Sequence, residues 1–97
     1  MMILITYDVE TVSAGGKKRL RKVAKACTDY GQRAQNSVFE CVIDPAAWVI
    51  LKNRLLEIID QEKDSIRFYY LGSNWDQKVE HYGTKPTYNL ENDSLII

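Results

Sequence analysis

The segment Met2-Ile3-Leu4-Ile5-Thr6-Tyr7-Asp8-Val9 begins with an apolar run and carries a single acidic residue near its end. A short aliphatic run of this kind predicts a strand buried on both faces at the centre of a sheet. Asp8 is then expected at the carboxyl end of the strand, where loops gather and functional groups are common. Alternatively, Asp8 only bonds the turn that follows it. Both interpretations are open at this point.

Length and composition predict one globular domain. The chain has 97 residues, of which 45% are hydrophobic and 27% are charged. The first apolar run is short, has no basic region ahead of it and leads into Asp8, so we expect neither a signal peptide nor a membrane span, and a cytoplasmic protein. The spacing of Cys27 and Cys41 predicts two buried thiols rather than a metal or redox pair.

Positive charge is concentrated in one segment, although the formal net charge is zero. Residues 17–28 contain no acidic side chain and six basic ones: Lys17, Lys18, Arg19, Arg21, Lys22 and Lys25. A local basic face can bind phosphates even when the whole chain is neutral. The alternative is an ordinary solvated helix surface.

The first helix is predicted from the spacing of apolar residues. Residues 10–16 contain paired glycines, which predict a flexible loop. A helix is expected from Lys17 to Tyr30, with Gly31 ending it in the left-handed conformation. The predicted buried stripe is Leu20, Val23, Ala24 and Cys27. The predicted water-facing residues are Lys18, Arg21, Lys22 and Lys25.

The sequence from residue 33 onward predicts a hairpin, a helix and two strands. Residues 33–43 are too long and polar for one strand, so we expect a strand, a break and a second strand over 38–43. Asp44 and Pro45 predict the N-cap and first residue of a helix. Its predicted core stripe is Trp48, Leu51, Leu55, Ile58 and Ile59. An acidic, solvated turn over residues 60–64, a strand over 65–71 and a short strand over 78–82 are expected to follow.

This order of elements predicts an α+β fold, the ferredoxin-like βαββαβ sandwich with an extra short C-terminal strand. The domain is expected to span residues 1–83, and residues 84–97 are expected to form a tail that docks on a partner protomer. Five strands and two helices leave a sheet face and an edge open in so small a chain, which predicts a homodimer.

Few kinds of catalytic or metal site are compatible with the composition. His81, the single histidine, has no spaced nucleophile to complete a triad and is expected to have a structural or dimer-contact role. A zinc site lacks ligands. Asp8 suits a hard cation such as Mg²⁺, which binds one or two carboxylates together with water and phosphate oxygens. Two copies of Asp8, brought together across a twofold axis, would be enough.

Several short motifs stand out by their order and spacing: Tyr7-Asp8-Val9 and residues 19–25, 30–33 and 35–41. Together they resemble the small CRISPR-associated nuclease family that partners the CRISPR integrase in spacer acquisition. Residues 67–69 and 78–83 also resemble the subgroup found in type I-C systems. The resemblance covers nearly the whole chain.

The resemblance implies a ferredoxin-like homodimer, metal-dependent cleavage of phosphodiester bonds in RNA or double-stranded DNA, and docking to the integrase. It implies that Asp8 is the catalytic metal ligand for Mg²⁺ or Mn²⁺ shared between two protomers, and that Tyr7 is the adjacent catalytic aromatic residue. The predicted nucleic-acid contacts are Lys18, Arg19, Arg21, Lys22, Lys25 and Arg33. Ser37 and Phe39 match the family's Ser-Val-Phe motif.

Two functions are therefore predicted. The first is an endonuclease, in which Asp8 of each protomer holds the metal and Arg33 with the helix basics positions the backbone. The second is a non-catalytic adaptor that bridges DNA and the CRISPR integrase. A small-ligand regulatory module lacks a recognisable site, and the aromatic signature of an RNA-recognition module is absent from the strand over residues 38–43.

Overall fold

The computed structural model describes residues 1–72 and 78–84. Within these residues the elements are β1 (Met2–Asp8), α1 (Ala14–Tyr30), β2 (Gln32–Gln35), β3 (Val38–Val42), α2 (Pro45–Ile58), β4 (Ser65–Leu71) and β5 (Lys78–Gly83). This is the βαββαβ order with one added strand, so the predicted α+β ferredoxin-like class is confirmed. The predicted tail, with its apolar end Leu95-Ile96-Ile97, lies outside the described residues except for Thr84, and its docking stays a prediction.

The sheet is antiparallel, with the order β2-β3-β1-β4-β5. At its centre, Ile5 of β1 lies opposite Phe39 of β3 and Phe68 of β4. The prediction that β1 is buried on both faces was wrong: burial alternates along the strand, with Ile5 inaccessible and Leu4 and Thr6 only half-buried. The reason is that both helices pack on one face, whereas within residues 1–72 and 78–84 no further layer covers the other face, which we call the open face.

The two helices and the inner face of the sheet form a single core. Helix α1 contributes Val23 and Cys27 as predicted, together with Ala26, whereas Leu20 and Ala24 are only partly buried. Helix α2 contributes three fully or nearly buried side chains of its predicted stripe: Trp48, Leu51 and Leu55. Both thiols are buried and unbridged, as expected. Within the described part of the chain, no helix is long and apolar enough to cross a membrane.

Helix α1 begins earlier than predicted. Ser13 is its N-cap and accepts a hydrogen bond from the amide of Gly16 at 3.0 Å. The carboxylate of Glu10 in turn accepts hydrogen bonds from the amide of Ser13 at 2.7 Å and from its hydroxyl at 3.1 Å. A Cβ on Gly16 would lie 1.8 Å from the carbonyl oxygen of Glu10, so glycine is required for this close approach. The expected flexible loop is thus an ordered cap followed by a helical turn.

The end of α1 also differs from expectation. Gly31 has a φ of −150° and a ψ of −165°, which is extended backbone rather than the left-handed conformation. A Cβ at this position would lie 2.5 Å from Sγ of Cys41 and 2.5 Å from the carbonyl oxygen of Glu40. Glycine is therefore needed because the chain passes close against β3, and not because of its backbone angles.

The acidic segment 60–64 is not a fully solvated turn, because Asp64 is completely buried. Its carboxylate accepts hydrogen bonds from the amides of Glu10 at 3.0 Å and Asp60 at 2.9 Å. Arg19 donates to the same carboxylate from Nε at 2.7 Å and from Nη2 at 3.2 Å. The carbonyl oxygen of Asp64 accepts from the amide of Thr84 at 2.9 Å. One residue therefore joins α1, the loop after β1, the turn before β4 and the end of β5.

The Arg19–Asp64 pair should make a large contribution to stability, since breaking a buried pair leaves an uncompensated charge. We expect Arg19→Met or Asp64→Asn to lower the free energy of unfolding by about 3 kcal/mol. The double variant should lose less than the sum of the two. The measurement is urea unfolding at one fixed protein concentration. Lys25→Met is the control, because its ion pair with Asp29 is exposed to solvent and should contribute little to stability. Equal losses in all three single variants would contradict this role.

The Arg19–Asp64 pair also predicts that the free energy of unfolding depends on pH. Burial acts to raise the pKa of Asp64, but the hydrogen bonds from Arg19 and from two backbone amides outweigh it and hold the pKa below the usual 3.8. A depressed pKa in the folded state stabilises the protein above the unfolded-state pKa, and this contribution is lost as the pH falls. The stability gap between the parent and Asp64→Asn should therefore narrow between about pH 5 and about pH 2 in urea titrations. If the difference in the free energy of unfolding between the parent and Asp64→Asn does not change with pH, Asp64 is not ionised in the folded protein.

Candidate functional site

Asp8 is the exposed last residue of β1 and lies opposite Ser65 in the strand register. It has the same parity as Leu4 and Thr6, so it belongs to the open face of the sheet. It borders a concavity of about 300 Å³, which we call the Asp8 pocket. The residues that line this pocket are Asp8, Val9, Glu10, Thr11, Val12, Lys63, Ser65 and Thr84.

The donor set at Asp8 suits a hard cation only in part. A carboxylate oxygen is a ligand that Mg²⁺ and Mn²⁺ accept. Among the described residues, however, no three histidine, cysteine, aspartate or glutamate side chains are grouped closely enough to hold a metal. The nearby carboxylate of Glu10 is already bound by Ser13, and the hydrogen bond from the Ser13 amide lowers the pKa of Glu10. The described residues of one protomer thus offer the carboxylate of Asp8, and the fit to Mg²⁺ requires further oxygen ligands beyond them.

Tyr7 lies on the other face of the sheet from Asp8. Its ring is buried, with its centroid 6.1 Å from that of Phe39. Its hydroxyl donates to the carbonyl oxygen of Asn36 at 3.3 Å, and its amide donates to the carbonyl oxygen of Ser37 at 3.1 Å. Burial raises the pKa of Tyr7 above its ordinary value, so the hydroxyl stays protonated at neutral pH. The structure therefore places Tyr7 with the β2–β3 turn, and its predicted catalytic role stays a prediction.

Arg33 joins Tyr7 at the same turn. Its Nη1 donates to the carbonyl oxygen of Asn36 at 2.6 Å, and its guanidinium carbon lies 4.8 Å from the centroid of the Phe39 ring. Tyr7, Arg33, Ser37 and Phe39 therefore meet around Asn36, in what we call the Asn36 cluster. The structure brings these predicted residues together, but it separates them from Asp8 by the thickness of the sheet.

The predicted basic residues of α1 border a groove between the two helices, of about 780 Å³, which we call the helix groove. The residues that line it are Gly15, Lys18, Arg19, Arg21, Lys22, Lys25, Arg54, Glu57 and Ile58. Sequence reasoning missed Arg54, because a lone arginine on the polar side of α2 gives no signal until α2 is known to pack beside α1. The groove has an excess of positive charge, as phosphate binding requires.

Three cations of the helix groove already have acidic partners. Arg54 donates to Asp29 at 3.0 Å, and Lys25 forms an ion pair with the same carboxylate. Arg19 is directed inward to Asp64, and its side chain is only 18% exposed. The geometry therefore gives Arg19 a structural role, and its predicted phosphate contact stays a prediction. Lys18, Arg21 and Lys22 are exposed, in agreement with the predicted water-facing side.

His81 lies on β5 opposite Arg67, on the open face. Both of its ring nitrogens are buried, and no hydrogen-bond partner for them occurs within the described part of the chain. Burial, together with the positive charge of Arg67, lowers the pKa of His81. The imidazole is therefore neutral at pH 7, and the predicted structural or dimer-contact role stays a prediction.

The chain is similar to known proteins over nearly its full length. A family model described as CRISPR associated protein Cas2 matches residues 1–79. A CRISPR-associated endonuclease Cas2 of Halalkalibacterium halodurans is 62% identical over 96 residues, which are 99% of this chain and 99% of that protein. A CRISPR-associated endoribonuclease Cas2 of Nitratidesulfovibrio vulgaris is 59% identical over 96 residues, which are 99% of this chain and 94% of that protein.

Solved structures agree with the fold. A crystal structure of Streptococcus pyogenes Cas2 has a TM-score of 0.70 and 64% sequence identity, and the match covers 77% of this chain and 90% of that one. The narrower assignment to a type I-C-like subgroup stays a prediction. The matched range, the identities and the shared βαββαβ core confirm the resemblance seen in the sequence, and the chain belongs to the Cas2 family of CRISPR-associated proteins.

Proposed function

We propose that the protein is a metal-dependent endonuclease that hydrolyses phosphodiester bonds in RNA or double-stranded DNA during spacer acquisition. The observation that supports this most is the exposed carboxylate of Asp8 at the Asp8 pocket, at the end of the central strand. Relatives that match 99% of the chain carry the names endonuclease and endoribonuclease. Hydrolysis of a phosphodiester needs a group that binds the phosphate and lowers its charge, and a carboxylate achieves this through a cation.

The proposed assembly is a homodimer formed across the open face. Among the described residues no helix covers this face, and it exposes 36% of Met2 and 81% of Val42. A second copy of the chain would cover these side chains and bring two Asp8 carboxylates toward the twofold axis. The pair would hold one Mg²⁺ or Mn²⁺ with water and phosphate oxygens as the remaining ligands. The bound cation would supply Lewis-acid polarisation of the phosphate.

The helix groove supports the alternative function, a non-catalytic adaptor that bridges DNA and the CRISPR integrase. The groove lies on the helix layer, whereas Asp8 lies on the open face. A phosphate held in the helix groove is therefore not the phosphate at Asp8, and binding at the groove does not depend on catalysis. Such contacts position the backbone without reading its sequence.

Asp8→Asn separates the two functions. The change keeps the shape of the side chain and removes the charge that a cation needs, so divalent-dependent cleavage should fall by at least about 100-fold. Binding to a labelled duplex should stay within about twofold, since phosphate contacts at the helix groove carry the affinity. Cleavage is measured by gel assay with single-stranded RNA and with duplex DNA, with and without Mg²⁺.

Glu62→Gln is the matched control for Asp8→Asn, because it removes an exposed carboxylate outside the Asp8 pocket. A mixed dimer with one Asp8→Asn protomer tests sharing of the cation, and Mg²⁺ affinity measured by calorimetry should drop in it. Cleavage by purified Asp8→Asn at the parental rate would refute the catalytic assignment. If the mixed dimer binds Mg²⁺ with the parental affinity, the two Asp8 carboxylates do not share one cation, but the catalytic assignment of Asp8 is not affected.

The helix groove can be tested by charge reversal. Arg21→Glu combined with Lys22→Glu should weaken binding to duplexes of any sequence and flatten the salt dependence, by a slope of about 0.9 for each phosphate that the variant no longer binds. Lys17→Glu combined with Lys78→Glu changes the net charge equally but lies outside the groove. Fluorescence anisotropy over a salt series gives both quantities. If the two double variants weaken binding equally, net charge and not the groove is responsible.

A further inference from the structure

The Asp8 pocket is lined by a positively charged side chain, Lys63, that the sequence analysis did not single out. Lys63 is exposed and lines the pocket together with Asp8. The predicted cations lie elsewhere: Arg33 is in the Asn36 cluster on the opposite face, and Arg19 is bound to Asp64. The basic residues of α1 line the helix groove. Among the described residues that line the Asp8 pocket, Lys63 therefore carries the positive charge.

The backbone at Lys63 is held in place by the buried carboxylate of the next residue. The amide of Lys63 donates to the carbonyl oxygen of Asp60 at 2.9 Å, and the carboxylate of Asp64 accepts from the amide of Asp60 at 2.9 Å. The same carboxylate accepts from the amide of Glu10 at 3.0 Å. The pocket has two walls: the turn that carries Lys63 and the segment after Asp8. Both are thus bonded to the buried side chain of Asp64.

The strand register sets Lys63 beside Asp8. Ser65, which is two residues beyond Lys63, is the register partner of Asp8. The position of Lys63 is therefore defined by β1 pairing with β4, while its exposed side chain extends from a fixed backbone. A lysine ammonium is a compact point charge with rotatable donors, which suits a phosphate oxygen whose direction varies between substrates.

We propose that Lys63 is a substrate-binding residue of this site and that its ammonium group binds a non-bridging phosphate oxygen of the nucleic acid in the Asp8 pocket. The inference rests on the proposed function, because it takes the Asp8 pocket as the place where the backbone lies. A phosphate in the Asp8 pocket would meet the ammonium of Lys63, and Asp8 would hold the cation that supplies a second positive charge. Two positive charges would offset the negative charge of the phosphate. Without the cation, the carboxylate of Asp8 would repel that phosphate.

Removing the ammonium should weaken binding at a single phosphate. Lys63→Met should raise the Kd for a short labelled single-stranded RNA about fivefold and reduce the salt slope by about 0.7, the value for one phosphate on a single strand. In cleavage assays KM should rise by the same factor while kcat changes less than about twofold, because the contact is made in the bound substrate and in the transition state alike. Lys63→Arg should restore both quantities.

Lys78→Met is the matched control, because it removes another exposed lysine at the opposite end of the sheet, in register with Tyr70. A series of RNAs, each with one neutral methylphosphonate linkage, identifies the contact. At one position the substitution should weaken binding by the parent and leave binding by Lys63→Met unchanged. A merely structural effect of Lys63 would shift all positions equally.

The outcomes separate Lys63 from the proposed catalysis. If the parent does not cleave but Lys63→Met still weakens binding at one linkage, the phosphate contact stands and the endonuclease proposal fails. If the parent cleaves and Lys63→Met has parental Kd and KM, the role of Lys63 is overturned and catalysis stands. Failure of Lys63→Arg to restore binding, or equal losses in Lys63→Met and Lys78→Met, would also overturn it. So would a parent that binds neither RNA nor duplex DNA.

Discussion

A buried carboxylate is tolerated only when its oxygens are bonded and its charge is balanced, and Asp64 satisfies this condition with partners from three separate parts of the chain. The Asp64 carboxylate accepts hydrogen bonds from Arg19 of helix α1, from the amide of Glu10 in the loop after β1, and from the amide of Asp60 in the turn before β4. The elements converge because the alternative is an unpaired charge in the core. This requirement also fixes the end of the sheet at which Asp8 is exposed. The architecture of the candidate site therefore follows from a residue that takes no part in its chemistry.

The alternation of side chains along β1 divides the functional residues between two faces. Tyr7 lies with Arg33 and Phe39 on the face of the sheet that the helices cover, and Asp8 lies on the open face. Neighbours in the sequence are thus separated by the sheet, and the motif that identifies the family does not form one cluster in space. The described part of one protomer presents cations in the helix groove and the exposed Asp8 on the opposite side. Sharing of the open face by two protomers is the simplest way to give Asp8 the additional ligands that Mg²⁺ needs.

Local signals in the sequence predicted the order of elements, and tertiary contacts account for what was missed. Asp44 does cap α2, because its side chain accepts from the amide of Ala47 three residues on, a contact set by local spacing alone. The burial of Asp64 was missed because its partner Arg19 lies 45 residues away. Gly31 was assigned to the left-handed conformation, whereas its neighbours across the sheet explain the glycine. Asp8 was found from its position after an apolar run, but no pattern could show that Lys63 shares its pocket.

The fifth strand links the far edge of the sheet to the same site. Glu80 accepts hydrogen bonds from the Tyr70 hydroxyl at 2.6 Å and from Nζ of Lys52 at 2.8 Å, so β5 is bonded to both β4 and α2. Burial, reinforced by the nearby charge of Glu80, raises the pKa of Tyr70 to about 12, which keeps this hydroxyl a donor. At its other end β5 runs into Thr84, whose amide is bound to the carbonyl oxygen of Asp64 and which lines the Asp8 pocket. Strand β5 therefore ends at the candidate site, because the buried aspartate that holds α1 also holds the end of β5.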